Sequence, residues 1–185
     1  LMNSAVEPNL TSMAAIIGLN SNQINKIIVE NNLDIEIAND NSPLQVVISG
    51  NKNNINKSEQ VLKQNGAKKF VLLNVSAAFH SKFMLKAQNE LKSYLKNLQF
   101  KPNDIKIISN FNADISNDNK KILYALENQM ANRVNWVDSI LALEKENENK
   151  IIEIGPGKIL SGLIKRISSK FDIVSINEIT DLSKI

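Results

Sequence analysis

The residues able to do chemistry in this chain gather in "VSAAFHSKFM", residues 75–84, which holds the only histidine, His80. Imidazole is the side chain whose ordinary pKa lies nearest neutrality, so His80 suits proton transfer. Ser76 and Ser81 flank it, and a serine hydroxyl becomes a useful nucleophile only beside such a base. Neither serine, nor Ser161, sits in G-x-S-x-G, the sharp strand-to-helix elbow that presents a catalytic serine, and that pattern occurs nowhere in the sequence. The absence of cysteine excludes disulfides, thiolate metal sites and a thiol nucleophile, and one histidine excludes a histidine-based metal cluster. A second candidate, "EIGPGKIL" (153–160), runs through glycines in the manner of a phosphate-binding loop. It lacks both G-x-G-x-x-G and a G-K-[ST] ending, so it reads as a tight strand-to-helix turn.

Composition narrows the classes further. With 43% apolar and 22% charged residues, the chain reads as an ordinary globular protein able to bury a core. The net charge is only +3, Arg133 and Arg166 are the only arginines, and no basic stripe carries interleaved aromatics. That argues against nucleic acid as a partner. No apolar run approaches the roughly 20 residues of a membrane-spanning helix.

The elements that must position His80 follow from periodicity. Residues 1–10 read as the end of a helix. "TSMAAIIGL" predicts a strand, and "NSNQINKIIVENN" a helix with Asn20 or Ser21 as cap. "DIEIAND" and "LQVVISG" predict two strands around the turn "NSP". "NNINKSEQVLKQNG" predicts a helix ended by Gly66, and "KKFVLLNV" (68–75) a fourth strand. Residues 11–75 therefore read β-α-β-β-α-β, the split βαβ pattern called ferredoxin-like. Beyond Val75, Met84, Ala87, Leu91, Leu95 and Leu98 at steps of three and four predict one long helix in "SKFMLKAQNELKSYLKNL" (81–98), with His80 at its start. A histidine there feels the positive end of the helix macrodipole, which favours neutral imidazole. Then follow a strand in "DIKIISNFNA", two helices, and strand–turn–helix–strand from 149 to 177. Such alternation predicts an α/β layer with a parallel sheet.

The ordered set "MAAIIGL", "NSPLQVVISG", "VSAAFHSKFM", "VNW" and "EIGPGKILSGLIKR" resembles the malonyl-CoA:acyl carrier protein transacylase family over nearly the whole chain. The resemblance implies an α/β fold: part of an α/β-hydrolase-like acyltransferase domain, residues 1–10 and 76–185, with a ferredoxin-like subdomain, residues 11–75, inserted into it. It implies transfer of malonate from malonyl-CoA to the phosphopantetheine thiol of acyl carrier protein through an acyl-serine, in fatty-acid biosynthesis and without a cofactor. It makes His80 the base, oriented by the main-chain carbonyl of Gln129 in place of an acidic side chain. Phe79 matches the malonyl-selective form "AFH", and its ring would leave little room for an α-methyl branch. Asn41, Gln45, Met2 and Met13 are candidates to line the acyl pocket, although turn chemistry explains Asn41 and core packing the methionines equally well. The resemblance also implies a cytoplasmic or organelle-matrix enzyme, monomeric at full length, with no membrane.

One departure stands out. The family's elbow serine, a loop supplying one oxyanion donor and the arginine that binds the malonyl carboxylate have no counterpart here. Arg133 and Arg166 do not match that arginine's position. By the resemblance these parts lie upstream of Leu1, so the chain is expected to carry the base without the nucleophile and to be inactive alone. Two other classes stay open: a non-catalytic module that docks acidic acyl carrier protein through Lys68, Lys69, Lys82, Lys158, Lys165 and Arg166, and a free ferredoxin-like domain binding RNA. Against the latter, the four expected strands offer only Phe70 for base stacking.

Overall fold

The structure, a computed structural model, describes residues 2, 5–7, 9–102 and 104–184, without the side chain of Lys184. The helix end expected over residues 1–10 falls in part outside the described residues.

Strand β1 (Thr11–Ile17) leads into helix α1 (Ser21–Glu30), then β2 (Ile35–Ser42), β3 (Gln45–Asn51), α2 (Lys52–Gln64) and β4 (Lys69–Leu72). The four strands form one antiparallel sheet in the order β2-β3-β1-β4. Pleating explains what each face does. Ala14 and Ile16 of β1, Ile35 and Ile37 of β2, and Val46 and Ile48 of β3 pack with Ile24 and Ile27 of α1 and Ile55 and Leu62 of α2. Both helices therefore cover the same face. Met13, Ala15 and Val47 turn to the other face, where they meet Ala38, Leu73 and Phe79.

Local chemistry starts and stops these elements. Asn20 caps α1 reciprocally with Gln23: Asn20 Oδ1 accepts from the Gln23 N–H at 2.8 Å, and Gln23 Oε1 from the Asn20 N–H at 2.9 Å. Gly18, at φ +104°, lets β1 turn against Lys68; a Cβ there would lie 2.8 Å from Lys68 Cγ and 3.1 Å from its backbone nitrogen. Ile48 is fully buried at the centre of the helix-covered face. Ile48→Ala is expected to lower the unfolding free energy by about 2–5 kcal/mol in urea denaturation. Ile154→Ala, at a side chain 81% exposed, is expected to change it by less than about 0.5 kcal/mol.

The outer edge of β2 does not face solvent throughout. Val134, in "VNW", bridges to Asn39 in parallel, donating to the Ala38 carbonyl at 2.8 Å and accepting from the Asp40 N–H at 2.9 Å. This crossing ties the small sheet to the C-terminal half.

That half departs from the periodicity in two places. The long helix expected over residues 81–98 is a 3₁₀ turn at Lys82–Met84 followed by α3 (Leu85–Leu95). Leu98 is 58% exposed, because the chain tightens to Asn97 N–H···O=C Tyr94 and leaves the helix. The strand expected in "DIKIISNFNA" is only β5 (Ile107–Ile108), paired antiparallel with β6 (Ile115–Ser116). Helices α4 (Asn119–Gln129) and α5 (Trp136–Lys145) follow. Then β7 (Lys150–Ile154), α6 (Ile159–Ile167) and β8 (Asp172–Ile176) form a βαβ unit with parallel strands. Ile140, Ile164 and Phe171 make the core of this layer with Trp136, Leu143 and Ile151.

Candidate active site around His80

The turn before α3 is built from small buried residues. Ala77 and Ala78 are fully buried, and the Ala78 N–H donates to Thr11 Oγ1 at 2.9 Å, which anchors the turn to the start of β1. Ser81, also fully buried, donates its hydroxyl to the Ala78 carbonyl at 2.6 Å. That bond makes Ser81 a bracket of the turn, unsuited to nucleophilic attack. Between these anchors His80 is held at φ +57°, the left-handed region that non-glycine residues adopt sparingly and that recurs at functional sites.

His80 Nδ1 lies 3.2 Å from the main-chain oxygen of Gln129. A carbonyl can only accept, so this contact places the proton on Nδ1 and leaves the Nε2 lone pair to act as a base. Gln129 is the last residue of α4, so its carbonyl is among those a helix leaves without an internal partner. The imidazole therefore meets the negative end of α4. On its other side His80 precedes the 3₁₀ turn Lys82–Met84, whose N-cap is Ser81 and which runs into α3 at Leu85. Burial lowers the His80 pKa from its ordinary 6.5, and the backbone groups of Gln129 and Asn132 oppose that shift. Both influences suit a base, which must be neutral before it acts and must tolerate the positive charge it then acquires.

The other expected site residues divide. Phe79 is half-buried and spans two apolar clusters, touching the Met13–Ala38–Val47 group and the Ala77–Met84–Ala131 group, against which Met2 also packs. Phe79, Met13 and Met2 are thus gathered next to the His80 turn. Asn41 lies half-buried on β2, where the register against β3 shifts. Gln45 is opposite Ile17, four residues along the ladder from the Met13–Ser49 rung, or about 13 Å. Gln45 Oε1 accepts from Arg166 Nη1 at 2.7 Å, so that side chain links β3 to α6. Lys82, one of the candidate docking cations, pairs with Asp34, and its N–H points to Glu36.

Three polar residues escaped the sequence reading. Glu153 folds over the "GPG" turn and accepts from the N–H groups of Leu160 and Ser161, each at 2.9 Å, and from the Ser161 hydroxyl. The N-terminus of α6 is thus met by the chain's own carboxylate. Burial pushes the Glu153 pKa up, but the bonds from Ser161 and Leu160 outweigh it and hold the group below the usual range. Asp40 is buried beneath the Val134 crossing; burial raises its pKa, against the Ser21 hydroxyl and the Arg133 charge. Gln88, 4% exposed on α3, accepts from the Ala131 N–H at 2.8 Å.

No protein-family model matches the chain. A malonyl CoA-acyl carrier protein transacylase of Bacillus subtilis (strain 168) is 36% identical over 181 residues, 96% of this chain and 57% of the relative. The acyl-carrier-protein S-malonyltransferase of Burkholderia pseudomallei 1710b superposes with a TM-score of 0.93 at 34% identity, over 99% of this chain and 60% of that one. The chain is a homologue of the malonyl-CoA:acyl carrier protein transacylases. A chain of the solved complex between a type II polyketide acyl-carrier protein and its malonyl-transacylase matches with a TM-score of 0.93 at 30% identity, over 99% of this chain and 60% of that one. The polyketide biosynthesis protein PksE of B. subtilis is 42% identical over 160 residues, 85% of this chain and 21% of its own length. The chain thus spans less than two thirds of the length of these transacylases, and within that span its fold is the mixed α/β fold of the solved malonyltransferases.

Proposed function

We propose that the chain contributes the general base of a malonyl transferase site, acting from malonyl-CoA to acyl carrier protein. The observation that carries this reading is His80 Nδ1 held against the Gln129 carbonyl, with its pKa lowered by burial. In the first half-reaction Nε2 takes the proton of a serine hydroxyl as its oxygen bonds to the thioester carbonyl carbon. The carbon–sulfur bond then breaks and coenzyme A leaves as the thiol, with the proton returned by the imidazolium. In the second half, His80 takes the proton of the phosphopantetheine thiol, sulfur attacks the acyl-serine, and the serine leaves with that proton. No step needs a metal or cofactor.

The serine lies outside residues 1–185 in this proposal, since no elbow pattern occurs among them. We read residues 11–75 as a ferredoxin-like subdomain set into a larger α/β acyltransferase domain made in part by 1–10 and 76–185; the antiparallel order β2-β3-β1-β4 supports that division. Acyl carrier protein as acceptor is supported by the solved carrier complex of a structural neighbour. A monomeric cytoplasmic enzyme of fatty-acid biosynthesis is the setting this reading favours.

The test is a pH–rate profile of malonyl transfer by a polypeptide that carries both the elbow serine and residues 1–185. Only neutral imidazole accepts a proton, so kcat/KM should fall as pH drops through the lowered His80 pKa, with the acid limb centred below pH 6.5. An acid limb above 6.5, or none that His80 substitution removes, counts against His80 as the base. Specificity gives a second expectation. Phe79→Ser should raise the methylmalonyl-to-malonyl ratio of kcat/KM by about tenfold, the scale at which a hydrophobic pocket discriminates one carbon. An unchanged ratio would confine Phe79 to core packing.

A further inference from the structure

We propose that Gln88 is a positioning residue for His80: its buried side chain stops α4 at the turn that aims the Gln129 carbonyl at the imidazole. This builds on the reading of His80 as the base. In a continuing helix the Ala131 N–H would bond the Glu127 carbonyl, and the Gln129 carbonyl would be taken by the N–H four residues on. Instead the Ala131 N–H is drawn to Gln88 Oε1 at 2.8 Å, and both residues are buried, at 4% and 8% exposure. A buried N–H needs a partner, and Gln88 supplies one that lies off the helix axis. The Gln129 carbonyl then carries only a long bond from the Asn132 N–H, at 3.3 Å, and keeps a lone pair for His80. The turn is closed from the other side by Gln129 Nε2, which donates to the Asn132 carbonyl at 3.1 Å. Gln88 sits on α3, the helix that follows directly from the His80 turn. One side chain therefore ties the element that carries the base to the element that orients it. Lys92, one turn farther along α3, joins the same two helices by a 3.2 Å bond to Asn128 Oδ1, outside the 129–132 turn.

The single histidine makes a spectroscopic test unambiguous. Nitrogen-15 NMR of the 185-residue chain, above the His80 pKa, reports which ring nitrogen holds the proton, with no need for activity. The wild-type chain should show the Nδ1–H form. Gln88→Met keeps the length and helix propensity of the side chain but removes the acceptor. It should lose the Nδ1–H form in favour of Nε2–H; Gln88→Leu makes the same test should the methionine variant not fold. Gln88→Glu, which keeps an acceptor oxygen, should retain Nδ1–H, and so should Lys92→Met. Retention of Nδ1–H in both apolar variants would overturn the proposal, and so would its loss in Gln88→Glu. A wild-type chain in the Nε2–H form would overturn the Gln129 contact itself. Failure of malonyl transfer in an enzymatic assay would leave these outcomes readable, so the two readings fail separately.

Discussion

His80→Ala, in a polypeptide that also carries the elbow serine, should lower kcat for malonyl transfer by about 10⁴- to 10⁶-fold, the scale seen when the base of a serine–histidine pair is removed. The reason is local. An unassisted alkyl hydroxyl is a poor nucleophile near neutral pH, and in the proposed mechanism the same imidazole serves the thiol in the second half-reaction. The KM for malonyl-CoA should change far less, because the role assigned to His80 is proton transfer in the transition state. Gln129→Ala should cost much less than His80→Ala, since the oxygen that accepts from Nδ1 belongs to the main chain and survives the substitution. The side chain it removes closes the 129–132 turn, so a modest loss in kcat is expected. Loss of less than tenfold in His80→Ala would remove His80 from the chemistry.

The sequence was most informative where burial and periodicity agree. In residues 11–75 the alternation of Ala14 and Ile16 with Met13 and Ala15, and the helical spacing of Ile24 with Ile27 and of Ile55 with Leu62, are local patterns with one sensible packing solution. The turn residues Asn20, Gly18 and Gly66 mark the boundaries by their own conformational needs. Farther on, local pattern and tertiary outcome separate. Met84 and Ala87 are both buried at helical spacing, yet the first belongs to a 3₁₀ turn, since steps of three and four suit both geometries over so short a stretch. "DIKIISNFNA" has the composition of a strand, but among the described residues only two of its positions find a ladder partner.

The site was legible to a different degree. His80 drew attention as the single imidazole beside serines, but its partner Gln129 lies 49 residues away and entered only through resemblance to a family. The pattern after His80 shows the helix that follows it but not the end of α4 that its Nδ1 meets. Which helix end meets a side chain is a property of packing, and no spacing in "AFHSKFM" encodes the approach of α4. Gln88 was unreadable for a related reason: a glutamine on an amphipathic helix looks solvent-facing until a buried N–H from another element is found against it. Glu153 carried a weak local signal, an acidic residue shortly before a helix start, obscured by the glycine turn between them.

The most direct test of the account is covalent labelling with radiolabelled malonyl-CoA, because it asks whether the base is present without its nucleophile. Residues 1–185 alone should take up no stoichiometric label, since Ser81 is buried and committed to the Ala78 carbonyl and no serine sits in an elbow. The same chain joined to an upstream G-x-S-x-G elbow should bind one malonyl group per molecule and pass it to acyl carrier protein. One malonyl group per molecule on residues 1–185 alone would contradict the account, because a nucleophile would then have to lie within this chain.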